Sequence, residues 1–204
     1  NGSAKTIDAQ TSAVVFDSYL LESKANSGEP YQYTLDMAYD YTATTVTFST
    51  TGNNAIVDSK NFNNSLAVGE EGYFLFKSPT YDRYLSGGEN NVETASFTDL
   101  KSLLARNVWL VRKVGDNSYT IQNVESGLYM QAPDSNSVTL GESSNNFSFS
   151  NRNSSITMYS RNGNYIGIDN KYNVKKYTNN RDYNCRFYIY RVTKNESTGA
   201  GQIK

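Results

Sequence analysis

The residues able to do chemistry are few in kind. The chain of 204 residues contains no histidine, which removes Ser-His and Cys-His nucleophile systems and His-bearing zinc sites. Its one cysteine, Cys185, excludes an internal disulfide. It stands just before an apolar stretch, and reads as a small buried hydrophobe rather than a nucleophile. Two facing carboxylates are enough for glycoside hydrolysis, and the chain has 20 acidic residues. Most of them, including Asp82, Asp116, Asp134 and Asp169, fall in turn-like clusters. There a short polar side chain usually hydrogen-bonds its own backbone. Asp134-Ser135-Asn136 and Asp182-Tyr183-Asn184 are only fragments of a calcium loop. Gly87-Gly88 signals a turn and not a phosphate cradle. The expectation is a chain that binds without catalysing, with no metal and no cofactor.

Charge and composition narrow the partners. Nineteen basic residues against 20 acidic ones leave a net charge of −1, and Lys175-Lys176 is the densest basic pair. Phosphate neutralisation therefore has nothing to work with, and nucleic acid is not an expected partner. No apolar run approaches membrane-spanning length, and Asn1–Lys5 lacks the apolar core of a signal peptide. Hydrophobic residues make up 37%, a low share offset by 17 Tyr and 9 Phe, whose rings fill a core while tyrosine hydroxyls reach water or a partner. Richness in Tyr, Asn, Ser and Thr suggests a secreted or cell-surface protein.

The elements that would position a site repeat three times. Tyr73-Phe74-Leu75-Phe76, Tyr84-Leu85, Val92 and Trp109-Leu110-Val111 form one series. Tyr119-Thr120-Ile121, Tyr129-Met130, Val138-Thr139-Leu140 and Phe147-Ser148-Phe149 form the second. Ile156-Thr157-Met158, Tyr165-Ile166, Val174 and Phe187-Tyr188-Ile189 form the third. Each reads as four short strands. A turn precedes every second strand: Tyr81-Asp82-Arg83, Ser126-Gly127-Leu128 and Asn162-Gly163-Asn164. Repeat one is longer, and its surplus coincides with a short helix predicted near 98–106, capped by Thr98 or Asp99.

Three four-stranded units of about 40 residues fit a propeller poorly, because a propeller normally has at least four blades. Residues 70–192 instead resemble the β-trefoil superfamily, in which twelve strands make a short barrel capped by three hairpins. In its ricin-type branch each repeat ends in Gln-x-Trp. The matching triplets here are Asn107-Val108-Trp109, Asn145-Asn146-Phe147 and Cys185-Arg186-Phe187, so the aromatic is kept and the Gln is not. The expected fold is all-β: a three-repeat β-trefoil over 70–192, an N-terminal β-rich segment or small sheet domain over 1–69, and a frayed tail over 193–204. Within 1–69, strands are expected over 12–21, 31–35 and 44–49.

The resemblance also implies a site. A shallow sugar site needs an aromatic face for the ring and planar Asp or Asn groups for paired hydroxyls. Ricin-type repeats place an Asp after the second strand, an aromatic on the third and an Asn beyond it. Repeat three matches best, with Asp169, Tyr177 and Asn179, and with Tyr172 and Asn180 nearby. Repeat two has Gly141 at the aromatic position and repeat one has Ala95. The competing reading is structural, with Tyr177 an exposed strand tyrosine and Asp169-Asn170 a tight turn. The function expected is a non-catalytic, secreted or surface binding module for a carbohydrate or glycoprotein. The alternative is a protein-interaction or inhibitor module tethered to a larger surface protein. A glycosidase ranks below both.

Overall fold

Alternating apolar positions give strands, and three copies of one strand pattern give a closed wall. The computed structural model describes residues 39–50, 62, 64–98, 100, 103–133, 137–152, 155–178 and 183–203. The chain divides into two compact units, Thr42–Gly199 and a smaller one of Asn1–Tyr41 with Ala200–Lys204. The repeats described below lie in the larger unit, apart from the last residues of the final strand.

Its repeats are built from β2 (Glu71–Ser78), β3 (Arg83–Gly87), β4 (Val92–Ala95) and β5 (Trp109–Gly115); from β6 (Ser118–Asn123), β7 (Tyr129–Gln131), β8 (Thr139–Gly141) and β9 (Phe147–Arg152); and from β10 (Ser155–Ser160), β11 (Tyr165–Ile168), β12 (Val174–Tyr177) and β13 (Tyr188–Ile203). Strands β13, β2, β5, β6, β9 and β10 are neighbours in that order. The ring closes where Ile156 and Phe187 exchange backbone hydrogen bonds of 2.9 Å each. The pairs β3–β4, β7–β8 and β11–β12 are antiparallel hairpins at one end of the barrel.

Register shows the threefold relation residue by residue. Phe74, Tyr119 and Ile156 lie opposite Trp109, Phe147 and Phe187. Both triples are buried, as are Phe76, Ile121 and Met158; Leu85, Met130 and Ile166; and Val92, Val138 and Val174. Gly127 and Gly163 adopt φ of 68° and 78°, and Asp82 takes φ 52° in the corresponding turn of repeat one. Cys185 is fully buried, as its sequence position suggested.

Three expectations meet a different arrangement. The described residues of 98–106 are not in an α-helix, and Ala105–Asn107 makes a 3₁₀ turn. The reason is visible in the backbone partners: Leu103 N donates to Phe48 O and Thr50 N to Leu100 O. Those groups are therefore spent on the end of β1 (Tyr39–Ser49), and Leu100, Leu103 and Phe48 are buried together. Second, residues 193–203, expected to fray, continue β13, which β1 flanks. Third, Phe62, which precedes the expected trefoil boundary at residue 70, belongs to the barrel core. Phe62 is 1% exposed, and its ring meets Phe74 and Tyr119 at 5.5 Å and Phe149 at 4.7 Å, closing the end away from the hairpins. The strand expected over 44–49 is part of β1, while those over 12–21 and 31–35 lie outside the described residues.

Candidate functional site

The β11–β12 turn is organised by one carboxylate. Asp169 Oδ1 accepts from the backbone N–H of Lys171 and of Asn173, both at 2.9 Å. Its Oδ2 meets Lys175 Nζ at 2.6 Å and Asn173 Nδ2 at 3.2 Å. The Lys175 ammonium, helped by the Asn173 and Lys171 donors, holds the carboxyl well below the usual carboxylate range. Both oxygens are engaged with the hairpin itself, so Asp169 fixes the loop and the structural reading of this residue holds.

The loop so fixed carries Tyr172 in an unusual conformation. Its φ is 64°, a left-handed value that is costly for a bulky side chain. Thr94 Oγ1, from β4, donates to Tyr172 O at 2.9 Å. The Arg83 guanidinium lies 4.4 Å from the ring centroid, and Tyr81 meets the ring edge-to-face at 5.9 Å. Tyr81 is anchored in turn, its hydroxyl donating to Asn184 Oδ1 at 2.7 Å. Tyr172 nevertheless remains 45% exposed.

Beside it opens a groove of about 750 Å³. Val92, Val138 and Val174, one from each repeat, lie along it, and Asn91, Glu93, Thr94, Ser137, Asn173 and Lys175 supply polar groups. Bridges between Ser137 and Lys175 and between Asn91 and Thr139 tie the three hairpins together there. Such a surface offers amides, hydroxyls, ammonium groups and one carboxylate around a tyrosine, which suits a polar ligand with an apolar patch.

The sequence-predicted residues are thus only partly brought together. Asp169 and Tyr172 share the turn, and Tyr172 lines the groove. Tyr177 is paired with Tyr165 at the far end of the hairpin, whereas Val174 is paired with Ile168 beside the turn. Its ring lies over Gly167, where a Cβ would come within 2.8 Å of Tyr177 Cε2. Asn179 and Asn180 lie outside the described residues. Arg83, Glu93, Thr94 and Ser137 line the groove from repeats one and two, and a motif confined to one repeat does not reach them. The signal available was the recurring Val92, Val138 and Val174, whose convergence marks where three hairpins meet.

Twelve strands in three equivalent sets of four, six forming a closed wall and six forming a hairpin cap, decide the architecture. The fold is a β-trefoil. Two solved structures are similar to it. A designed protein with threefold symmetry, ThreeFoil, is 16% identical with a TM-score of 0.52, over 58% of this chain and 98% of that one. A GlcNAcα1-4Gal-releasing endo-β-galactosidase from Clostridium perfringens is 13% identical with a TM-score of 0.52, over 59% of this chain and 32% of that one. This trefoil therefore corresponds to about a third of the galactosidase's length. No protein family matches the sequence, and no curated protein does.

Proposed function

We propose that the chain is a non-catalytic binding module, secreted or displayed at a cell surface, that takes carbohydrate in the groove beside Tyr172. The observation that carries this reading is the strained Tyr172 itself. Backbone strain of this kind costs about 1–3 kcal/mol and persists where neighbours over-determine it, often at ligand sites. Here Asp169, Thr94, Arg83 and Tyr81 all hold the residue in place. Planar amides and hydroxyls along the groove suit sugar hydroxyls. The likeness to part of a carbohydrate-active enzyme is compatible with this reading.

Binding is favoured over hydrolysis by the carboxylates. Glycoside hydrolysis needs two, roughly 5–10 Å apart, one of them protonated. Glu93 is the carboxylate that lines the groove, and the nearby Asp169 is held ionised by Lys175. A shallow site of this type binds single sugars at about millimolar affinity, near 4 kcal/mol.

A glycan array with the full chain tests the proposal. Binding is expected for the parent and for Tyr177→Ala, and is expected to vanish for Tyr172→Ala. Retention by Tyr172→Ala would place the site elsewhere, and no binding to any glycan would leave the protein-interaction reading. One observation favours that alternative: Leu104 is 57% exposed on the segment between β4 and β5, beside a smaller pocket that includes Phe97 and Leu103.

A further inference from the structure

Each hairpin meets the following barrel strand at a junction, and the three junctions are filled unequally. Register names the equivalent residues. Gly87 faces Val92, Ala132 follows the Gln131–Thr139 pair, and Ile168 faces Val174. Asn123 and Ser160 lie opposite Trp109 and Phe147, and Ser78 follows the Lys77–Tyr188 pair.

At the first junction Gly87 contributes no side chain and Asn123 takes the room. A Cβ on Gly87 would sit 2.6 Å from Asn123 Cγ. The Asn123 amide donates to Arg106 O at 2.8 Å, and Asn107 Nδ2 donates to Ser86 Oγ at 3.1 Å, so the space holds a bonded polar network. At the third junction Ile168 and Cys185, both 0% exposed, supply apolar volume beside the short Ser78.

The second junction has neither filling. Ala132 is short where Ile168 is long, and Ser160 is short where Asn123 is long. A pocket of about 420 Å³ results, with Ala132, Ser160, Asn145, Asn146, Arg161 and Asn162 in its lining. That volume falls within the roughly 300–1,000 Å³ of small-molecule sites. Ser160 is 3% exposed, and its Oγ, like that of the equivalent Ser78 at the third junction, has no hydrogen-bond partner, a costly state for a buried hydroxyl. Among the described residues, only at the second junction does this hydroxyl border a pocket of this size. Arg161 N donates to Asn146 O at 3.2 Å, fixing the rim. No carboxylate lines this pocket, and no ion pair among the described residues engages the Arg161 guanidinium.

We propose that this pocket is a second binding site, separate from the groove at Tyr172, and that it takes a carboxylated sugar. The guanidinium matches a carboxylate in shape and charge. The asparagine amides and serine hydroxyls match ring hydroxyls. The proposal does not depend on what the Tyr172 groove binds.

Titration of the full chain with glucuronate, followed by NMR, tests it, with glucose and acetate as separate arms. Glucuronate is expected to bind, with glucose and acetate each at least tenfold weaker. Arg161→Gln is expected to weaken glucuronate at least tenfold and leave glucose unchanged. Ala132→Ile, which copies the third junction, abolishes binding, and Tyr172→Ala leaves it intact. If Ala132→Ile fails to fold by thermal melt, Ser160→Asn, which copies the first junction, takes its place. The proposal is overturned if glucuronate does not bind, if it binds the filled variant as well as the parent, or if glucose or acetate binds equally.

Discussion

The barrel interior and the junctions under its hairpins obey the same threefold register, yet they use it differently. Inside the barrel the equivalent residues agree in kind: Trp109, Phe147 and Phe187 are all large aromatics with 0% exposure. Under the hairpins they disagree, with Gly87, Ala132 and Ile168 at one position and Asn123, Ser160 and Ser78 at another. A close-packed interior penalises a change at any one of three related sites, because all three side chains are fully buried in one core cluster. A junction is a local contact between two strands, so its volume can change without disturbing the other two. Differences in side-chain size and polarity between repeats are therefore more easily tolerated under the hairpins than inside the barrel.

The largest expected effect comes from breaking the part that agrees. Trp109→Ala should cost about 3–5 kcal/mol, read as a drop in the urea midpoint, since it also removes the Nε1 donor to Leu85 O. The next tests the junctions directly. Gly87→Ala drives a Cβ into the Asn123 amide and should cost about 1–3 kcal/mol. Adding Asn123→Ser converts the first junction to the pattern of the second, so the double variant should cost less than the sum of the two single ones. Strict additivity in that cycle would mean the two side chains do not share the space.

How much of this was legible before the structure follows from the same contrast. Trp109, Phe147 and Phe187 are individually conspicuous, so the repeat could be read from spacing, and the resemblance to the β-trefoil superfamily implied the fold. A pocket made by Ala132 and Ser160 leaves no mark on either residue, because small residues are ordinary and only their meeting across strands matters. Phe62 was likewise invisible as core, since it belongs to no repeat. Asp169, singled out for ligand binding, has its own loop as partners, and the sequence does not show that Tyr172 lines the groove while Tyr177 pairs with Tyr165.

Two smaller effects sharpen the comparison at the groove. Tyr172→Gly removes the left-handed strain, about 1–3 kcal/mol, and also the contacts with Arg83 and Tyr81. Its melting temperature should change little while sugar binding is lost, separating display of the ring from folding. Asp169 gives the smallest effect. Its folded pKa lies below the unfolded value near 3.9, so the folded state releases its proton first. The stability it lends is present above pH ~4 and fades as pH falls through that value. Asp169→Asn should flatten the acid limb of a urea-midpoint profile between pH ~5 and ~2, and an unchanged limb would count against the Lys175 pairing.

Phe62 bears on inheritance. A ring of three like units has one centre, and only one side chain can stand there. Duplicating a unit multiplies the wall but not the stopper, and in this chain the residue among Phe74, Tyr119 and Phe149 comes from outside the repeat. The folded core therefore includes Phe62, which precedes the first residue of the repeats themselves.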